Sequence, residues 1–94
     1  MTYHFIASPQ FERKAKRYRS NPRVQARLEK ALKQLVKDPF EPKLKTHKLS
    51  GNLEGTYACR VDRDLRILFE FVETRENETK LIHLLTLGSH DDVY

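Results

Sequence analysis

The chain has 94 residues, enough for one domain with a modest core and too few for two lobes around a deep cleft. A single cysteine, Cys59, excludes an intramolecular disulfide, and no Cys/His cluster gives a zinc pattern. The net charge of +5 is uneven: residues 1–48 hold 13 of the 18 Lys/Arg and 4 of the 13 Asp/Glu, and residues 49–94 hold 5 and 9. A basic first half suits a polyanionic partner, and it equally suits two solvated helix faces. The N-terminal stretch has no basic segment leading into an apolar one, and no apolar run approaches a membrane span. A cytoplasmic protein with no membrane partner is expected.

Thr2 to Ala7 is rich in aromatic and β-branched residues and reads as a strand, with His4 as an ordinary structural residue. Ser8-Pro9 opens a helix as cap and first-turn proline. Phe11, Ala15 and Tyr18 then share one face, and Arg13, Lys14, Lys16, Arg17 and Arg19 take much of the rest. Asn21-Pro22 repeats the device. The second helix runs to about Lys37, with Val24, Leu28, Ala31, Leu32 and Leu35 as its apolar stripe. Pro39 and Pro42 stop it. The basic stretch from Lys43 to Gly51 reads as a connector.

The remainder reads as β-structure. Tyr57 to Val61 alternates, 62–64 is a turn, and Leu65 to Val72 is a longer strand with Ile67, Phe69 and Phe71 on one face. Residues 73–79 form a polar hairpin loop. Lys80 to Leu87 is the most apolar strand and is expected to be central. The order β-α-α-β-β-β gives a single α+β domain over residues 1–94. An antiparallel sheet of about four strands carries a two-helix hairpin on one face. The other face is open for function.

Three polar sets can meet on that face: His47 from the connector, Arg60, Asp64 and Arg66 around the central hairpin, and His90 and Tyr94 from the closing stretch. Each has a plain structural reading as well. Arg66 can pair with Asp64 or Glu70 at the surface. His90 can be an ordinary exposed histidine, and Tyr94 can pack on the sheet. His83 reads as a satisfied residue, buried or half-buried within the apolar strand. Asp91-Asp92 lacks a third carboxylate for a metal site, and Cys59 reads as core. No Gly-rich phosphate loop and no nucleophile elbow is present. A basic surface bearing His, Arg and Tyr suits RNA cleavage. RNA carries its own nucleophile, the 2′-hydroxyl, so acid–base groups and positioned cations suffice, with no metal or cofactor.

The markers from end to end are the early strand, two basic helices, Lys45-Thr46-His47-Lys48-Leu49-Ser50-Gly51, Tyr57 to Val61, Asp64 to Phe69, and Leu87-Gly88-Ser89-His90-Asp91-Asp92-Val93-Tyr94. In this order the chain resembles toxins of the RelE/ParE superfamily, most nearly the YafQ branch. The resemblance implies a RelE-like microbial ribonuclease fold and a type II toxin. Such a toxin would act as a ribosome-dependent endoribonuclease (an mRNA interferase) that cuts mRNA in the ribosomal A site and is neutralised by a cognate antitoxin. By the same resemblance, His90 matches the catalytic histidine as general acid, His47 the connector histidine, and Asp64 the hairpin acid. Arg66 matches the arginine at the scissile phosphate, and Tyr94 the terminal aromatic. Arg60, Arg63, Lys45 and Lys48 are expected at RNA phosphates. Arg13, Lys14 and Arg17 are expected at mRNA or ribosomal RNA.

Three positions depart from the branch pattern. Arg60 stands where a second strand histidine is expected, Leu65 where a tryptophan is, and Thr86 where an arginine is. Arg60 can bind phosphate but stays protonated and is no base. His47 is the best remaining base. Two alternatives stand beside this reading: a ParE-like toxin that poisons gyrase, and a catalytically weak antitoxin-binding partner.

Overall fold

The computed structural model describes residues 3–72 and 80–89. Strand β1 spans Tyr3–Ala7, helix α1 Pro9–Lys16 and helix α2 Pro22–Lys37. Strand β2 is the short pair His47–Lys48. Strands β3 (Tyr57–Arg60), β4 (Leu65–Val72) and β5 (Lys80–Ser89) follow. Single 3-10 turns at Pro42–Leu44 and Gly51–Leu53 flank β2.

Both helix starts form as their sequences dictate. The Ser8 hydroxyl accepts from the Phe11 N–H at 3.0 Å and donates to the Leu85 carbonyl at 2.6 Å, while the Ser8 N–H donates to the Leu84 carbonyl at 2.9 Å. The cap of α1 is therefore also its weld to β5. At α2 the Asn21 side chain accepts from the Val24 N–H at 3.2 Å. Helix α1 stops at Lys16, so Tyr18 reaches the core from the turn that follows it. Beyond α2, the Asp38 and Glu41 carboxylates each accept a backbone N–H two residues on, from Phe40 and Lys43. These local bonds hold a proline-broken segment that no helix ladder can support.

The α+β class stands, and the sheet is larger than expected. It has five strands in the order β1-β5-β4-β3-β2. The added strand is β2, within the stretch read as a connector: His47 and Lys48 pair antiparallel with Ala58 and Tyr57. Two residues are too few to show a periodic signal. The sheet is also mixed rather than wholly antiparallel, because β1 lies parallel to β5, with Tyr3 opposite Lys80 and Ala7 opposite Leu84. The apolar strand β5 is internal, flanked by β1 and β4, although β4 holds the centre.

Leu28, Ala31 and Leu35 of α2 and Phe11 of α1 pack on Cys59, Leu65, Ile67, Phe69, Ile82, Leu84 and Leu87. Burial pushes the Cys59 thiol up to about 12, against weaker opposing effects of the Ile67 backbone and the Arg66 charge. It is a core residue, not a thiolate nucleophile. A register shift at Leu68/Phe69 places Thr86 opposite Leu68 but Leu84 opposite Phe69, leaving Leu85 as the extra residue of a bulge. The bulge lets Leu84 and Leu87, three apart, both face the helices. No helix among the described residues is long and apolar enough to cross a membrane.

Candidate functional site

The face opposite the helices carries a small apolar patch, Ala58 and Leu68, with Leu49 and Leu85 packed against it. Strand alternation then fixes what stands beside it. One cross-strand row runs His47, Ala58, Leu68, Thr86, and the next runs Arg60, Arg66, Gly88. Two arginines thus face each other directly across β3 and β4. On β5, Gly88 brings no side chain to cover them.

Like charges in directly opposed positions repel, so the pair needs an acceptor between them. The turn at 61–64 supplies it. Arg66 Nη1 donates to the carbonyls of Asp62 at 2.8 Å, Leu65 at 3.2 Å and Arg63 at 3.3 Å. Arg60 Nε donates to the same Asp62 carbonyl at 3.4 Å. The Asp62 carboxylate turns the other way, toward α2, and meets Arg27 at 3.4 Å and Arg23 at 4.0 Å. Asp62 therefore ties four arginines from three elements to one turn. Its carboxyl is held below the usual carboxylate range, first by the backbone N–H of Arg63 at 2.7 Å, then by Arg27, Arg23 and Arg60.

This depressed value has a definite consequence for pH. A carboxylate whose folded-state value lies below its unfolded value stabilises the fold above the unfolded value, near 3.9 for aspartate, and that stabilisation is lost as pH falls through the folded value. Asp62→Asn is therefore expected to lower the thermal midpoint at neutral pH. Its deficit against wild type should shrink as pH falls below about 4. A deficit that stays constant down to pH 2 would show that the carboxylate's charge is not what holds the turn.

The other expected site residues divide into groups. His47 lies exposed on edge strand β2, its Nδ1 3.1 Å from the Lys45 carbonyl. By strand spacing its backbone stands roughly 12 Å from that of Arg66, two strands across and one row along. Asp64 is exposed in the turn and shares a hollow of about 200 Å³ with Tyr18, Asp62 and Ser89, at the exit of β5. Arg63 is exposed in the same turn. Lys45 is exposed and takes a left-handed backbone at φ 49°. Lys48 pairs with Tyr57, so alternation turns it to the face opposite His47. Arg13, Lys14 and Arg17 belong to α1 and its C-terminal cap, in the helix layer, so the sheet separates them from Arg66. His90 and Tyr94 lie outside the described residues. The chain reaches them through Gly88, opposite Arg66, and Ser89, opposite Leu65.

Thr86, where the resemblance led to the expectation of an arginine, has a buried hydroxyl with no hydrogen-bond partner among the described residues, and it brings no cation. His83 is half-buried on the open face, with Nδ1 3.0 Å from the Glu70 carboxylate. The sequence places His83 as satisfied but does not reveal Glu70, because cross-strand register is not encoded in the pattern of either strand alone. Asp62 as the organiser was missed as well. The available signal was an acid at the head of a tight turn flanked by arginines.

The family model described as "Bacterial toxin of type II toxin-antitoxin system, YafQ" matches residues 3–94. Among solved structures, YafQ from E. coli strain BL21(DE3) matches with a TM-score of 0.77 at 17% identity, covering 98% of each chain. A YoeB/ParE toxin from Agrobacterium tumefaciens matches with a TM-score of 0.77 at 13% identity, covering 92% of this chain and 96% of that one. The E. coli DinJ-YafQ toxin-antitoxin complex matches with a TM-score of 0.76 at 17% identity, covering 100% and 99%. A search of curated proteins finds no match. At these identities the structures establish a shared fold, and the family match spans nearly the whole sequence: the chain belongs to the YafQ family of bacterial toxins of type II toxin-antitoxin systems.

Proposed function

We propose that the chain is an endoribonuclease that cleaves mRNA in the ribosomal A site and is held inactive by a cognate antitoxin. The observation that carries this reading is the Arg60–Arg66 pair on the face opposite the helices, beside the strand exit that precedes His90 in the chain. Two fixed cations suit a phosphodiester whose charge rises as it becomes a phosphorane. In this reading the 2′-oxygen attacks phosphorus and the bond to the 5′-oxygen breaks, leaving a 2′,3′-cyclic phosphate and a 5′-hydroxyl. His90 gives its proton to the departing 5′-oxygen. His47 takes the proton of the 2′-hydroxyl, since Arg60 is always protonated and cannot do so. Arg66 and Arg60 hold the non-bridging oxygens. Asp64 and Tyr94 bear on the geometry of the strand exit and the base.

A shallow open face gives little purchase on RNA by itself. Holding the message in a ribosomal site supplies the positioning that the small domain lacks. Arg13, Lys14 and Arg17, on the far layer, then face ribosomal RNA, as does Lys48, while Lys45 and Arg63 border the message. An antitoxin partner fits the same surface, and the solved DinJ-YafQ complex gives the precedent for such a pairing.

The test is to induce the chain in cells and map mRNA ends for wild type and His90→Ala. Cuts in register with codons that vanish in His90→Ala are the expected result. Growth arrest with intact mRNA and DNA damage would overturn the reading in favour of a gyrase poison.

A further inference from the structure

A second cationic feature adjoins the site described above and shares Arg60 and Asp62 with it. A groove of about 210 Å³ opens where α2, the 3-10 turn Pro42–Leu44 and the β3–β4 turn meet. Arg27, Lys30 and Gln34 line it from α2, at i, i+3 and i+7 on one helix face. Lys43 lines it from the 3-10 turn, and Arg60 and Asp62 from the hairpin. Four cations thus converge on a hollow with one carboxylate. That carboxylate is already engaged by Arg27, Arg23 and the Arg63 N–H.

We infer that this groove is a second phosphate subsite, taking a phosphodiester of the same RNA strand whose reacting phosphate lies at Arg66. The inference rests on the proposed nuclease reading and extends it to how the strand leaves the open face. Two observations favour RNA over an acidic protein segment. Arg60 belongs to both places: it faces Arg66 across the strands and also lines the groove. A continuous polyanion can therefore pass from one to the other without leaving cationic surface. The apolar lining is two buried small positions, Ala31 and Val61, which give no pocket for the large apolar anchors that secure a bound peptide. Gln34 adds an uncharged donor at the groove wall, suited to a phosphate or sugar oxygen. None of the groove's α2 side chains sits on the open face, so this subsite binds the strand without entering the chemistry.

The experiment measures binding of an uncleavable 2′-O-methyl RNA decamer between 50 and 200 mM salt, for wild type and for Lys30→Gln/Lys43→Gln. Circular dichroism checks that the fold is unchanged. The double variant should bind more weakly at 50 mM, and its log–log salt slope should be shallower by about 0.7 if one phosphate contact is lost. An unchanged slope, or no binding by wild type, would overturn the subsite. Loss of binding to a polyglutamate peptide with the RNA slope unchanged would also overturn it, and would assign the groove to an acidic protein. The nuclease reading fails on a different result: no cleavage of mRNA on programmed ribosomes by the wild-type chain. The two failures are therefore told apart.

Discussion

Arg66→Gln is expected to slow RNA cleavage by about 10²–10³-fold, the cost of removing one preorganised donor from a developing oxyanion. Glutamine keeps length and polarity but removes the charge and the fork. Arg66→Lys should recover only part of the loss, because an ammonium is a point charge that cannot donate along two parallel bonds. One nitrogen of the guanidinium, Nη1, is spent on the carbonyls of Asp62, Leu65 and Arg63, which fixes the direction of the group. The variant should therefore also show a small fall in thermal midpoint, separable from the rate loss by working well below that midpoint. The measurement is single-turnover cleavage of mRNA on programmed ribosomes. A rate within threefold of wild type for Arg66→Gln would remove the arginine pair from the chemistry.

Phe69→Ala is expected to destabilise the fold by about 3–5 kcal/mol, a large share of the roughly 5–15 kcal/mol that holds a domain together. The side chain is fully buried on the central strand. It stacks with Tyr57 at 5.9 Å and meets Phe71 edge-on at 5.5 Å, and Tyr57 and Leu84 lie opposite it on β3 and β5, so truncation opens a hole in the core between three strands. Phe69→Leu should cost far less, under about 1.5 kcal/mol, since apolar volume is largely kept. Urea titration of the three proteins checks the order, and an alanine variant as stable as the leucine variant would contradict it. The position also sits at the register shift between β4 and β5. A variant that re-registers the hairpin would appear as a changed m-value rather than a changed midpoint alone.

The elements that could be read from sequence were those with a local cause. Ser8-Pro9 and Asn21-Pro22 announce both helix starts, and the stripe from Val24 to Leu35 fixes the face of α2. The alternation of Ile67, Phe69 and Phe71 put Arg66 on the open face, where it is found. Two features were hidden for physical reasons. Strand β2 is too short to carry a period. The parallel pairing of β1 with β5 depends on contacts between residues 77 apart, which no local pattern encodes. The bulge at Leu85 breaks alternation in β5, so a strict period of two assigns the wrong face to residues after it. Of the candidate site, what the sequence made legible was the placing of arginines around the central hairpin. The arginine pair follows from hairpin register, but the turn that anchors it depends on where α2 lands.

The position of β5 has a consequence for the order of events in synthesis. It is the last of the five strands to be made, yet it lies inside the sheet and supplies Ile82, Leu84 and Leu87 to the core. Until residues 80–89 leave the ribosome, β1 has no strand to pair with, Ser8 has no carbonyl to bond, and nothing shields the edge of β4. Folding of this sheet therefore waits for β5.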